Sequence, residues 1–227
     1  MPSARKPAAP SARAGHAINK AAVAGAVAVI IAVALIFWAR DPHVENLSSD
    51  GAAIIAFGDS LTAGYGAGEG ADYPSRLSES IGRPIVNAGR NGDTTASALS
   101  RLEADVLVHD PRVVIIGLGG NDFLRGEPIT TTEENLRTIV RRIHTAGAMV
   151  VLLGFEFPSI SVSYANMYER VAESEGCLLI DDVLDGILND AKLKSDQIHP
   201  NAAGYDLMAQ RVAEPLAELL ERADDAR

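Results

Sequence analysis

Short apolar runs alternate with longer amphipathic stretches along most of this chain, from about residue 51 onward. Apolar runs of about five residues favour buried strands, whereas apolar positions three and four residues apart indicate helices. Their alternation is typical of β-α units built around a parallel sheet. The strands are predicted at residues 53 to 57, 84 to 88, 113 to 118, 149 to 155 and 177 to 181, and the helices at residues 73 to 81, 95 to 109, 132 to 146, 161 to 175 and 201 to 221.

The predicted strands are apolar at nearly every position, as in the run VVII at residues 113 to 116. Such strands are expected where both faces of a sheet are covered. The pattern therefore predicts an α/β fold in which helices pack on both sides of a parallel sheet. Pro215 interrupts the apolar pattern of the last helix, and we expect that helix to kink or restart there because proline lacks a backbone N–H.

Residues 21 to 39 form an uncharged apolar segment, AAVAGAVAVIIAVALIFWA. As a helix it would be roughly 28 Å long, close to the hydrocarbon thickness of a bilayer. Lys20 precedes the segment, while Trp38 and Arg40 lie at its other end, where such side chains favour the membrane interface. We therefore expect a transmembrane signal-anchor helix at residues 20 to 40, through which the protein contacts the membrane.

The charges on the two sides of this segment differ in sign. Residues 1 to 19 are rich in Ala, Pro, Ser and basic groups and are predicted to be a disordered tail, while residues 41 to 50 are predicted to be a polar linker. The positive-inside tendency then places residues 51 to 227, one folded domain, outside the cytoplasm, in the periplasm or the extracellular space. Cleavage of a signal peptide at the sequence AVA, residues 32 to 34, is the main competing interpretation and would secrete the same domain. A buried core helix is the third alternative for the apolar segment.

Acidic residues outnumber basic ones by 30 to 20, and the charged side chains of the first 20 residues are all basic, so the rest of the chain is strongly acidic. An acidic surface repels phosphate backbones, and nucleic acid is not expected as a partner. Cys177 is the single cysteine, which excludes an intramolecular disulfide and a cysteine-based zinc site. Because Cys177 lies in an apolar run, we expect a buried thiol.

Four polar clusters lie where a ligand site is expected. In open parallel sheets, ligands bind outside the carboxyl ends of the strands, where the chain turns into the next helix. Three of the clusters follow the first three predicted strands and the fourth precedes the last helix: Gly58-Asp59-Ser60-Leu61, Asn91-Gly92-Asp93, Gly119-Gly120-Asn121-Asp122 and Asp196-Gln197-Ile198-His199.

Ser60 has the position of a nucleophile, directly after a buried strand and at the start of a helix whose first amides favour negative charge. A serine at this place is equally often a helix cap, and that alternative stays open. His199 is the candidate base, because Pro200 keeps it out of helical geometry and in a loop. Asp196 is placed to accept the other imidazole N–H, which would fix the tautomer. The remaining histidines are better explained as surface or structural residues: His16, His43, His109 and His144.

Acyl transfer also needs hydrogen-bond donors around the oxyanion of the tetrahedral intermediate. Gly92 can bring its backbone N–H close because it has no side chain. Asn121 offers a side-chain amide, and the Ser60 backbone N–H is the third candidate donor. Each of these is also an ordinary loop residue, and a turn-forming role is the alternative for Asn121.

Ser60, Gly92, Asn121 and His199 follow one another in longer blocks, FGDSLTAGYG, NAGRNGDTTASALSRL, GLGGNDFLRG and DQIHPNAAGY. From about residue 53 to residue 220 the sequence resembles the SGNH, or GDSL, hydrolase family. The second and third blocks look like the thioesterase I, lysophospholipase and arylesterase branch. The resemblance implies a three-layer α/β/α flavodoxin-like sandwich with a five-stranded parallel sheet.

The resemblance also implies that Ser60 is the nucleophile, His199 the base and Asp196 its orienter, with Ser60, Gly92 and Asn121 lining the oxyanion hole. No metal or organic cofactor is implied. Asp59 is then a structural residue that supports the turn at Ser60. The segment from residue 154 to residue 164 departs from that branch at a loop that shapes the acyl pocket, which leaves the acyl-chain preference open.

The expected function is a serine ester hydrolase that cleaves small-molecule esters or thioesters through an acyl-enzyme. Two alternatives remain. The first keeps the chemistry but acts on O-acetyl groups of cell-envelope glycans, which would suit an exported, tethered enzyme. The second is a non-catalytic, membrane-tethered binding domain, and the complete set of site residues argues against it.

Overall fold

A computed structural model describes residues 43 to 155 and 162 to 227. The predicted tail and the predicted transmembrane segment lie outside these ranges. In chain order the elements are β1 (Ala53–Gly58), α1 (Ser60–Ala63), α2 (Tyr73–Ile81), β2 (Ile85–Gly89), α3 (Thr95–Asp105), a 3₁₀ turn (Leu107–His109), β3 (Pro111–Gly117), α4 (Gly120–Arg125), α5 (Ile129–Thr145), β4 (Met149–Leu153), α6 (Val162–Glu175), β5 (Leu178–Ile180) and α7 (Ala202–Asp225).

The five strands form one sheet in the order β2-β1-β3-β4-β5. Every neighbouring pair is parallel, which confirms the predicted α/β fold with a five-stranded parallel sheet. The same order is found in flavodoxin-like folds, where the switch in winding direction between β1 and β3 opens a crevice for ligands. Gly58 pairs with Gly89 of β2 and with Gly117 of β3, so three strands end at the same level. The segments that follow them therefore start side by side.

The core explains why the strands are so uniformly apolar. All residues of β3 and β4 are buried, and the exposed positions of β2 fit its place at the sheet edge. The helices form two packed groups, α2 with α7 and α3 with α5 and α6, as expected when both faces of a sheet are covered. Cys177 is buried as predicted, and burial raises the pKa of its thiol to about 12.

Several boundaries differ from those predicted. The helix predicted at residues 95 to 109 ends at Asp105 and is followed by the 3₁₀ turn, after which Asp110 has a φ of 52°. The last helix runs from Ala202 to Asp225 without restarting at Pro215. Buried Val212 and Leu216 lie on the two sides of this proline, so side-chain packing holds the helix together where its hydrogen bonding is interrupted.

Two further observations bear on the N-terminal predictions. Val44, in the predicted linker, is buried in the core, and the Glu45 N–H donates to the Gly176 carbonyl, so residues 43 to 50 pack against the domain. Within the described ranges, no helix has the length and apolar character needed to cross a bilayer.

Candidate active site

Ser60 is the first residue of α1, directly beyond β1. Asp59 caps this helix, since its Oδ1 accepts the Leu61 N–H at 3.0 Å. The interpretation of Ser60 as the cap is therefore wrong, and its hydroxyl is available for another contact. The turn fits tightly against β2, because a Cβ on Gly89 would lie 2.2 Å from the backbone nitrogen of Ala63.

His199 meets Ser60 across 139 residues of sequence. Its Nε2 lies 2.9 Å from Ser60 Oγ, and its Nδ1 lies 2.8 Å from Asp196 Oδ2. Asp196 Oδ1 accepts the N–H groups of Ile198 and His199, both at 2.9 Å. The structure thus brings together the three residues predicted for nucleophile, base and orienter. A hydroxyl at this distance from a neutral imidazole nitrogen can transfer its proton.

The Asp196 carboxylate is stabilised in its charged form. Partial burial acts to raise its pKa, but the hydrogen bonds from the Ile198 N–H, the imidazole and the His199 N–H outweigh that effect and lower the pKa below the ordinary value. A charged Asp196 at neutral pH is the form that accepts the imidazole N–H and stabilises an imidazolium.

Two tyrosines that were not assigned from the sequence hold this contact. The Tyr65 ring packs on the His199 ring with centroids 4.5 Å apart. The buried Tyr205 hydroxyl donates to the Tyr65 carbonyl at 2.9 Å, which ties α7 to the turn after α1. Tyr65 belongs to the first sequence block and Tyr205 to the fourth, but nothing in the pattern of either block indicates these contacts.

Asn121 lies in α4 rather than in a turn, so a turn-forming role is wrong. Its Nδ2 donates to the Asp93 carbonyl at 3.0 Å and to Asp59 Oδ2 at 3.1 Å. Asn121 also lines a small cleft, whose walls include Asp59, Ser60, Leu61, Gly120, Leu124, Ile198 and His199. The predicted amide donor therefore faces the same space as the hydroxyl and the imidazole, and both of its hydrogens already have acceptors.

Gly92 is connected to Asn121 through the neighbouring residue, Asp93. It lies in the loop after β2 with a φ of 78°, next to Asp93, whose carbonyl binds Asn121. The Gly92 carbonyl accepts a hydrogen bond from Arg125 at 2.7 Å. Among the described residues, neither the Gly92 N–H nor the Ser60 N–H has a protein acceptor. Both remain available as donors to a bound oxygen.

Buried carboxyl groups surround the loop, and their roles were not predicted. Asp93 pairs with the buried guanidinium of Arg101, whose Nε lies 2.6 Å from its Oδ2. Asp122 accepts the N–H and the hydroxyl of Thr95 at 2.9 and 2.5 Å. Asp93 and Asp122 were quoted in the polar clusters, but their sequence neighbours give no sign of these distant partners.

No cationic side chain among residues 43 to 155 and 162 to 227 pairs with Asp59. Burial raises the pKa of its carboxyl to about 7, against the hydrogen bonds from Leu61 and Asn121, and the nearby charges of Asp93 and Asp122 raise it further. Asp59 therefore supports the turn, as expected, and in addition changes its charge near neutral pH.

The described histidines outside the site fit structural or surface roles. His43 is exposed beside Glu45, and His109 is exposed in the 3₁₀ turn. His144 lies in α5, where burial lowers the pKa of its imidazole. His16 and residues 156 to 161 of the segment assigned to the acyl pocket are outside the described ranges. No cluster of three metal-binding side chains occurs in those ranges.

We expect Asp59→Asn to change the pH dependence of stability. Because the folded-state pKa of Asp59 is raised from 3.8 to about 7, its contribution to stability is fully present below about pH 4 and is lost as the pH rises toward 7. This one carboxyl contributes a slope of at most about 1.4 kcal/mol per pH unit. Asparagine still accepts the Leu61 N–H but does not titrate. Urea unfolding should show that the free energy of unfolding falls less steeply from about pH 5 to 7 in the variant than in the wild type. Equal slopes for the two proteins would contradict the raised pKa of Asp59.

Comparisons with known proteins identify the family of this chain. Residues 56–207 match the GDSL-like Lipase/Acylhydrolase family. The chain is 31% identical over 175 residues to Thioesterase 1/protease 1/lysophospholipase L1 of Escherichia coli strain K12, which covers 74% of this chain and 84% of that protein. It is 30% identical over 178 residues to the Arylesterase of Vibrio mimicus, covering 74% of this chain and 89% of that one.

Solved structures lead to the same family. A crystal structure of TesA, 30% identical, superposes with a TM-score of 0.70 over 74% of this chain and 99% of its own. The psychrotrophic esterase EstA from Pseudoalteromonas sp., inhibited by monoethylphosphonate, is 27% identical with a TM-score of 0.68, over 74% of this chain and 98% of its own. This chain belongs to the GDSL-like lipase/acylhydrolase family and is a carboxylic ester hydrolase.

Proposed function

We propose that the protein hydrolyses esters and thioesters by a Ser-His-Asp acyl-enzyme mechanism, with Ser60 as nucleophile, His199 as base and Asp196 as its orienter. The observation that carries this proposal is the 2.9 Å contact between Ser60 Oγ and His199 Nε2, with Asp196 on the opposite ring nitrogen. An Nδ1–H donated to Asp196 leaves Nε2 unprotonated, which is the tautomer that a base requires.

In the first step His199 Nε2 takes the Ser60 proton as Oγ bonds to the substrate carbonyl carbon. The tetrahedral intermediate collapses when the imidazolium gives this proton to the leaving alcohol or thiol. Water, deprotonated by the same nitrogen, then attacks the acyl-enzyme and releases the acid and the free Ser60 hydroxyl. The imidazolium formed when this water is deprotonated gives its proton to Ser60 Oγ as the second tetrahedral intermediate collapses, so His199 Nε2 carries out every proton transfer in the scheme.

The oxyanion of each intermediate would accept the N–H groups of Ser60 and Gly92 and the Asn121 amide. Asn121 already donates to Asp59 and to the Asp93 carbonyl, so the oxyanion shares or replaces one of these acceptors. A neutral Asp59 is a weaker acceptor than a charged one and repels the oxyanion less. The pKa of about 7 at Asp59 therefore favours this exchange at neutral pH and below.

The relatives support aryl esters, acyl thioesters and lysophospholipids as the substrate classes to be tried first, since their names are arylesterase and thioesterase/lysophospholipase. No contact among the described residues favours the alternative of O-acetyl groups on envelope glycans. A non-catalytic binding domain would not need the Ser60–His199–Asp196 chain of contacts.

We expect Ser60→Ala to lower kcat on the order of 10⁶-fold, because no other group then forms the acyl-enzyme. The assay uses a p-nitrophenyl ester and an acyl thioester, together with labelling by a fluorophosphonate. Ser100→Ala is the matched control, since the exposed Ser100 hydroxyl on α3 donates to the Ser97 carbonyl and lies outside the candidate site. Turnover by Ser60→Ala at the wild-type rate would refute the assignment of Ser60 as the nucleophile.

Asn121→Ala should lower kcat about 10² to 10³-fold with little change in KM, because the amide is needed chiefly when the oxyanion forms. Steady-state kinetics on the same esters separate these two constants. A circular dichroism spectrum and unfolding curve establish that the variant folds. A kcat within a factor of about three of the wild type, in a folded variant, would remove Asn121 from the oxyanion hole.

We also propose that residues 21 to 39 anchor the protein in a membrane with the catalytic domain outside the cytoplasm, on the grounds of segment length and flanking charge. The full chain expressed in a bacterium should sediment with membranes and be released by detergent but not by high salt. External protease should digest the domain in spheroplasts. A soluble, shortened chain would instead support cleavage at residues 32 to 34.

A further inference from the structure

Arg125 has an unusual electrostatic position beside the candidate site. Most described arginines are neutralised by a carboxylate, as Arg90 is by Asp105 and Arg142 by Glu103. Within residues 43 to 155 and 162 to 227, no carboxylate lies within ion-pair distance of Arg125. Its guanidinium instead donates to the Gly92 carbonyl at 2.7 Å. A neutral acceptor fixes the side chain but leaves its positive charge uncompensated.

The same side chain is close to the groups assigned to the oxyanion. Asn121 and Arg125 are four residues apart in α4, so their Cβ atoms lie about 5 to 6 Å apart on one side of the helix. Arg125 also bonds to the carbonyl of Gly92, whose own N–H is a proposed oxyanion donor. Leu124, which is 53% exposed, lines the cleft next to Asn121. An apolar side chain therefore lines the cleft, and the unpaired guanidinium lies one helical turn from Asn121 and against the Gly92 loop.

We propose that Arg125 is a specificity-determining residue that binds an anionic group a few bonds away from the scissile carbonyl, so that anionic glycerol monoesters are preferred substrates. This inference rests on the ester hydrolysis proposed above. In a 1-acylglycerol 3-phosphate, about six covalent bonds separate the ester carbonyl carbon from phosphorus, a span of roughly 6 to 7 Å. This distance from carbonyl carbon to phosphorus is close to the spacing between Asn121 and Arg125, which are one turn of α4 apart. In an acyl-coenzyme A the nearest phosphate is about fourteen bonds away and lies beyond this reach.

The net charge of the chain makes such a cation important. With a formal charge of −10, the protein as a whole repels anionic substrates. A guanidinium is well suited to reverse this locally, because its planar N–H groups bind phosphate oxygens in pairs. Since Arg125 is exposed, its contribution should weaken as salt screens the charge.

The test compares two substrates of equal acyl length, 1-decanoylglycerol 3-phosphate and neutral 1-decanoylglycerol, with the full chain. Arg125→Gln should lower the ratio of their kcat/KM values about five- to tenfold, through a higher KM for the phosphate ester. Arg125→Lys should restore most of the preference. Arg90→Gln is the matched control, because Arg90 flanks the same loop but is paired with Asp105, and its ratio should stay near that of the wild type.

Decanoyl-coenzyme A and decanoyl-N-acetylcysteamine form a second pair, in which Arg125→Gln should leave the ratio unchanged because the phosphates are remote. An equal fall for both members of the glycerol pair would overturn the inference and assign Arg125 to support of the Gly92 loop. The inference would also be overturned if Arg125→Gln still hydrolysed neutral esters and left the kcat/KM ratio of the glycerol pair unchanged. Absence of hydrolysis of every ester and thioester by the folded wild type would instead refute the proposed function itself.

Discussion

The buried guanidinium of Arg101 joins the ends of two strands, β1 and β2, to the loop on which the site depends. It donates to the carbonyls of Gly58 and Ala88, at the ends of β1 and β2, each at 3.0 Å. It also pairs with Asp93 and packs over the Phe57 ring at 4.3 Å. These contacts compensate one buried charge with another and give a carbonyl group at the end of each of the two strands a charged donor. The level at which the strands end, and the position of the loop at Gly92, are thereby fixed together.

Three buried carboxyl groups near this loop differ in the partners that compensate them. Asp93 has the arginine, and Asp122 has two hydrogen bonds from Thr95. Asp59, next to Ser60, has only neutral donors among the described residues, and burial raises the pKa of its carboxyl to about 7. In the mechanism proposed above, a carboxyl group that lines the cleft repels the oxyanion less when it is protonated. The same arrangement costs stability when Asp59 is charged, as is common where polar groups are positioned for chemistry.

The contact between Ser60 and His199 depends on a different set of forces. Tyr65 and Tyr205 join the turn after α1 to the ring of His199 and to α7, and α7 in turn packs along α2. Asp196 organises its own short loop through backbone N–H groups. Ser60 and His199 are thus each held by the element that carries them. The Ser60–His199 distance therefore reflects packing of whole helices rather than one weak hydrogen bond.

The sequence by itself determined the five strands, their parallel arrangement, most helices and the residues that meet in the site, because buried strands and ligand-bearing turns have a local signature. It did not determine which groups accept the hydrogen bonds of Asn121, or the roles of Tyr65 and Arg101, since these contacts join segments distant in sequence. It also left open which residue caps α1. Nor did it determine that α7 continues through Pro215, which depends on burial of both flanks. Local patterns specify elements and candidate chemistry, while charge compensation, proton affinity and distance are properties of neighbours that only the folded chain brings together.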